Sequence, residues 1–246
     1  MSGHRRFFIA PGQIDGDRAV ITGDAVRQIK RVLRLKEGDS ISLLDGSGAE
    51  FEARIASLSA GSITAEILGS RRCAAEPRIR LSLAVCLPKG DKIELIVQKC
   101  TELGISELVV ASSERSVPRV DSPKAAERLG RWRRIATEAA EQCGRGRVPE
   151  IGGIVEFADL ADLIRESPLA LLAWEGDGGA PLRDVLRAHA DADSVMLIIG
   201  PEGGLTEDEA HVATDAGAVL VSLGRRILRC ETAAIAACAA VMYELD

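Results

Sequence analysis

The pattern of apolar and polar positions divides the chain into two regimes. Through about residue 70 the apolar runs are short and β-like, and 40–44, 50–57 and 62–68 predict strands. Asp45-Gly46 and Ala60-Gly61 supply turns between them, and one helix is predicted over 23–35. The stretch 70–77 ends in Pro77 and reads as a linker. From residue 78 onward strands and helices alternate. Strands are predicted over 78–87, 108–111, 169–174, 195–199 and 218–222. Helices are predicted over 89–103, 123–143, 181–187, 206–216 and 232–245, with Gly104 and Gly144 ending the first two. Such alternation implies an α/β domain on a mainly parallel sheet. The expected organisation is therefore a small β-rich domain over 1–72 and an α/β domain over 73–246, with no internal repeat.

Composition narrows the class. The 246 residues are 46% apolar and 28% charged, which suits a soluble globular protein and excludes collagen-like and disordered classes. The longest apolar runs, such as 195–199, fall far short of the ~18 residues that cross a bilayer. Residues 1–13 lack the apolar stretch of a signal peptide. No pair among the six cysteines has zinc or redox spacing, and His4, His189 and His211 are isolated. The expectation is no metal site and a reduced, cytoplasmic setting. Aromatics at 3% argue against RNA binding on an aromatic platform.

Charge changes the picture. The net charge is −6, yet residues 115–147 hold nine basic and four acidic side chains, while 148–246 hold six and eighteen. A concentrated basic segment on an acidic protein points to local contact with a polyanion. A second cluster, Arg27, Lys30, Arg31 and Arg34, falls at i, i+3, i+4 and i+7, one stripe of a helix. Val26, Ile29, Val32 and Leu33 would then face the core. Like charges at that spacing repel, so the stripe favours an anionic partner.

Three predicted strands end in unusual loops. One is Glu175-Gly176-Asp177-Gly178-Gly179. A second is Gly200-Pro201-Glu202-Gly203-Gly204, followed by Thr206 and Glu209 at capping-box spacing. The third runs Leu223-Gly224-Arg225-Arg226-Ile227-Leu228-Arg229-Cys230-Glu231-Thr232. Ligands of open α/β sheets bind beyond the carboxyl ends of strands, where bare backbone can read an adenine edge. The second loop lacks the Lys-Ser/Thr of a P-loop and is not a GxGxxG fingerprint, which disfavours nucleotide triphosphate hydrolysis.

LIIGPEGGLTEDE (197–209) followed by LGRRILRCETA (223–233) resembles the SPOUT methyltransferases. The resemblance is to the RsmE-type branch, which methylates N3 of a uridine in 16S ribosomal RNA. QKCTELGI (98–105), SERSV (113–117), EAAEQCGRGRVPEI (138–151) and VLRLKEGD (32–39) extend it over nearly the whole chain. It implies an N-terminal PUA-like β-barrel that binds RNA, an α/β SPOUT domain with a C-terminal trefoil knot, and a homodimer. It implies S-adenosyl methionine (SAM) as methyl donor, with Leu172, Gly200, Pro201, Glu202, Gly203, Leu223, Gly224, Ile227 and Leu228 as its binding residues. Small-subunit RNA would contact Arg115 and Arg145 besides the basic stripe. Ile235, Cys238, Val241 and Met242 of the last helix would lie in the dimer interface, although that spacing equally suits an internal core. Related sequences often carry a histidine just before the VLR segment; this chain does not, so no role is carried over for it.

Two catalytic candidates follow. Glu231 could take the N3 proton or simply serve as a first-turn acid of the last helix. Arg229 could stabilise negative charge developing on the uracil oxygens or pair with a carboxylate. Two alternatives stand beside this reading at the sequence level: another methylation of the same superfamily, such as ribose 2′-O, and a ribosome assembly factor without activity.

Overall fold

Six strands build the sheet of the N-terminal unit: β1 (Arg6–Phe8), β2 (Ile14–Asp15), β3 (Arg18–Ile21), β4 (Ser40–Leu44), β5 (Ala49–Leu58) and β6 (Ile63–Arg72). They pair in the order β1-β4-β5-β6-β3-β2; β1 and β4 run parallel and the other pairs antiparallel. In β3 the side chains alternate, with Ala19 and Ile21 buried and Arg18 and Val20 exposed, as a sheet with one covered face requires. Phe7, Ile21, Ile29, Leu43, Ile55 and Ile63 form the core beneath it. The computed structural model describes residues 5–116 and 122–246; His4 and Val117 of the SERSV segment lie outside them. Within the described residues, the first unit is the chain through Glu76 together with Thr137–Val148, and the second is Pro77–Ala136 with Pro149–Asp246. The segment 137–148 thus joins the N-terminal unit, which a boundary at residue 72 does not provide.

The predicted helix over 23–35 forms differently. A four-residue α1 (Asp24–Arg27) continues as a π-helix over Gln28–Val32. Leu33 N–H donates to the Gln28 carbonyl at 2.9 Å, five residues back. The wider turn rotates the following side chains relative to an α-helix. Val32, expected in the core, is therefore 69% exposed, and Leu35 is buried in its place, beside Val26 and Ile29.

The second unit carries β7 (Arg80–Cys86), α2 (Lys92–Glu102), β8 (Glu107–Ser112), α3 (Ser122–Cys143), β9 (Glu150–Glu156), α4 (Leu160–Glu166), β10 (Ala170–Ala173), β11 (Ala180–Pro181), α5 (Leu182–Ala188), β12 (Ser194–Ile199), α6 (Glu207–Asp215), β13 (Val219–Ser222) and α7 (Cys230–Leu245). Its seven strands, ordered β11-β13-β10-β12-β7-β8-β9, are all parallel. Strands β7 and β12 are buried on both faces, so they read as continuous apolar runs. The sequence pattern did not announce β9, α4 or β11: β9 is interrupted by Gly152-Gly153, α4 is only two turns long, and β11 is a two-residue bridge. Helix α7 is largely apolar, with its charged residues at the two ends. Cys238 and Val241, expected in a dimer interface, are fully buried within the unit, so the internal-core alternative holds for them. The helix's exposed positions are Thr232, Ala236 and Tyr243.

Candidate active site

Strands β12, β10 and β13 lie side by side, so their carboxyl ends open onto one edge of the sheet. The three following loops meet there around a cavity of about 320 Å³. Trp174, Glu175 and Gly176 come from the first loop, and Gly200, Pro201, Glu202, Gly204 and Leu205 from the second. The third contributes Leu223, Gly224, Arg225, Arg226, Ile227, Leu228 and Arg229, followed by Cys230 and Ala233 of α7.

The second loop is held from several sides. Gly204 has φ +70°, where a side chain is strained, and a Cβ there would overlap the Glu175 carboxylate. The predicted capping box forms: Glu209 N–H donates to Thr206 Oγ1 at 3.2 Å, and Thr206 N–H donates to Glu209 Oε2 at 2.9 Å. Glu209 Oε1 also accepts Glu114 N–H at 2.8 Å. Arg115 Nη1 donates to the Gly203 carbonyl at 3.0 Å. Arg115, assigned to RNA contact from the sequence, is in this structure a clamp on the 200–205 loop.

Electrostatics are concentrated on one side of the cavity. Lys92 Nζ lies 2.7 Å from Glu202 Oε1 and 3.4 Å from Glu231 Oε2. Burial alone would raise the Glu202 carboxyl, but Lys92 and the Lys89 backbone N–H outweigh it and hold the pKa below the usual carboxylate value. The hydrogen bond to Glu202 raises the Lys92 pKa in turn. Cys230 is pushed up to about 12, first by burial and then by the charges of Glu202 and Glu231. This thiol is protonated at neutral pH and is no nucleophile.

Of the sequence-assigned cofactor residues, Gly200, Pro201, Glu202, Leu223, Gly224, Ile227 and Leu228 line the cavity. Leu172 and Gly203 are not in the lining: Leu172 is fully buried in the core beneath it, and Gly203 packs against Arg115. Arg229 lines the cavity and has no ion pair among the described residues. Glu231 is not in the lining, because its carboxylate faces Lys92. Lys92 was missed from the sequence, since a lone lysine at a helix start carries no local signal of its distant partners. Glu175, Arg225 and Arg226 belong to loops flagged by their glycines and Trp174 to the end of the predicted strand before one of them, yet only the folded arrangement identifies them as lining residues.

The basic stripe is in the first unit. Arg27, Arg31 and Arg34 are exposed, while Lys30 Nζ donates to the Ser59 carbonyl at 2.7 Å. Arg34 has φ +52°. Arg145 corrects the sequence assignment: it is 3% exposed and donates to both oxygens of Glu76, at 3.3 and 3.1 Å. The Glu76 Oε1 atom also accepts the N–H groups of Gly146 and Arg147. The guanidinium braces the 144–147 turn and is shut off from an RNA phosphate. Among the described residues no three His, Cys, Asp or Glu side chains are grouped to hold a metal, and no helix is long and apolar enough to cross a membrane.

Comparison with known proteins gives two matching family models. An RNA methyltransferase domain matches residues 75–242, and an RNA methyltransferase PUA domain matches residues 21–68. A Bacillus subtilis protein named ribosomal RNA small subunit methyltransferase E is 34% identical over 230 residues, covering 92% of this chain and 90% of its own. The protein of that name from Synechocystis is 35% identical over 242 residues, covering 98% of this chain and 78% of its own. A crystal structure of the Neisseria gonorrhoeae protein of that name, bound to S-adenosyl methionine, matches with a TM-score of 0.85 at 31% identity, over 97% of each chain.

Proposed function

The chain belongs to the ribosomal RNA small subunit methyltransferase E family and methylates 16S ribosomal RNA from SAM, and we propose that the acceptor atom is N3 of a uridine. The observation that carries the reading is the convergence of three strand-end loops on one cavity. Its lining fits SAM. Trp174, Ile199, Leu205 and Leu228 offer apolar surface for a flat base, and Glu175 and Glu202 offer charge for the ammonium of the amino-acid end. A Cβ on Gly224 would meet no protein atom within 4 Å, so that side of the residue is open.

In this reading the backbones of 200–205 and 223–228 hold the donor, which supplies an electrophilic methyl group when bound. Uridine N3 is a poor nucleophile until its proton leaves. Arg229, without a carboxylate partner, would stabilise the charge that spreads to the uracil oxygens as that happens. Holding N3 in line with the methyl carbon accounts for the larger share, up to ~7–11 kcal/mol. Glu231 serves as a first-turn acid and ion-pair partner in preference to proton acceptor. Arg27, Arg31 and Arg34 contact RNA phosphates, together with Arg225 and Arg226 at the cavity. The protein works in the cytoplasm, where its substrate is made, and as a homodimer through the exposed face of α7.

The test is nucleoside mass spectrometry of 16S RNA after reaction with SAM, on small subunits from a strain lacking the gene. N3-methyluridine is expected. A ribose 2′-O-methyl product would overturn the acceptor assignment, and SAM binding without any methyl transfer would favour an assembly factor.

A further inference from the structure

Lys92 is the first residue of α2, outside the three loops, and it does not line the cavity. Its ammonium nevertheless reaches two carboxylates from two different segments. Glu202 belongs to the loop after β12 and does line the cavity; Glu231 belongs to the first turn of α7, next to the lining residue Cys230. The Glu202 carboxylate is further fixed by the backbone N–H of Lys89, at 3.1 and 3.3 Å from its two oxygens. The Glu231 Oε2 atom is shielded from solvent and receives no hydrogen bond. Lys92, at 3.4 Å, is the cation that faces it.

Without that ammonium, one shielded carboxylate would be left uncompensated, close to a second. The Lys92–Glu202 contact is itself partly exposed, so what the ammonium supplies is a bridge between the two segments more than a large energy, with the shielded Glu231 oxygen as its inner end. Relief would come from a shift of the 200–205 loop away from α7, against the Arg115 and Thr206–Glu209 contacts that hold its other side. That movement would open the cavity between them.

We propose that Lys92 is a positioning residue that pins the 200–205 loop to the first turn of α7 and so keeps the SAM cavity in its binding shape. The proposal rests on the SAM-dependent reading above. Its effect falls on donor affinity: the KM for SAM rises, while kcat at saturating SAM changes little.

The experiment is calorimetric titration with SAM of wild type, Lys92→Met, Lys92→Arg, Glu202→Gln and the Lys92→Met/Glu202→Gln double variant. Lys92→Met is expected to weaken SAM binding about tenfold, with Lys92→Arg restoring most of the loss. The double variant should lose less than the sum of the single losses, because the two residues share one interaction. Should Lys92→Met fail to fold, Lys92→Arg and Glu202→Gln carry the test: near-wild-type affinity for the first and about tenfold loss for the second are expected. Lys92→Met or Glu202→Gln binding SAM within about twofold of wild type, or additive losses in the double variant, would overturn the proposal. A wild-type protein that fails to bind SAM would instead overturn the reading on which it rests.

Discussion

Arg145 shows how much a side chain's role depends on its enclosure. Its charge sits in a basic segment that reads as an RNA contact, yet the fold closes over it and Glu76 answers it. Replacing it with Met removes one member of an enclosed pair and should lower stability by about 3–5 kcal/mol, with SAM affinity of the folded fraction unchanged. Urea unfolding and calorimetry check both halves. Glu141 makes the opposite kind of statement. Burial raises its pKa even though it accepts the Phe8 N–H at 3.0 Å and a Gln28 amide hydrogen. A carboxyl raised on folding binds its proton more tightly in the native state. Its contribution is therefore fully present below the ordinary carboxylate value and is lost as pH rises through the raised native one. Glu50 runs the other way. Burial would raise it, but Arg6 and Arg71 hold it low, so it stabilises above the ordinary value and the gain is lost in acid. Glu141→Gln should remove the fall of stability with rising pH in that window while leaving the acid-side loss due to Glu50. Unfolding midpoints from about pH 4 to about pH 8 read this directly.

At the scale of an element, the π-turn over Gln28–Val32 decides how the basic stripe is presented. Arg27, Arg31 and Arg34 remain exposed, but Lys30 is tethered to Ser59, so three free cations face solvent where the periodicity promised four. Arg34 adopts a left-handed conformation that Asn tolerates well. Arg31→Ala combined with Arg34→Asn should therefore remove two charges without disturbing the turn. Each lost phosphate contact flattens the salt dependence of binding to small-subunit particles by about 0.7–0.9 in log–log slope, or about 1.5 for the pair. SAM affinity should not change, because the stripe and the three loops belong to different units. Titrations across a salt series, with SAM binding measured in parallel, check this; an unchanged slope would leave the stripe a solvated face.

At the scale of the whole molecule, the proposed dimer places the exposed face of α7 against a second copy. Tyr243 is 89% exposed near the end of the helix, and Ala236 is exposed two turns before it. Tyr243→Asp should give a monomer near 26 kDa by light scattering, against twice that for wild type. A wild-type protein that is itself monomeric at micromolar concentration would remove the claim.

Much of the fold was legible in the chain because its causes are local. Apolar runs mark the strands of a sheet covered on both faces, glycines mark helix ends, and Thr206 with Glu209 closes a capping box wherever that segment is placed. The glycine-rich loops were legible too, since bare backbone is itself a sequence property, and the family motifs lie on them. What the chain alone did not decide is which side chains meet. Lys92 faces Glu202 and Glu231 only because parallel pairing brings strands from distant parts of the chain to one sheet edge. Leu172 and Gly203 miss the cavity, and Arg145 leaves the surface, for the same reason: burial and charge pairing are set by neighbours remote in sequence. Val32 turns outward because one π-turn changes the period on which the sequence reading depended. Local periodicity specifies the elements, and the packing of remote segments specifies the site.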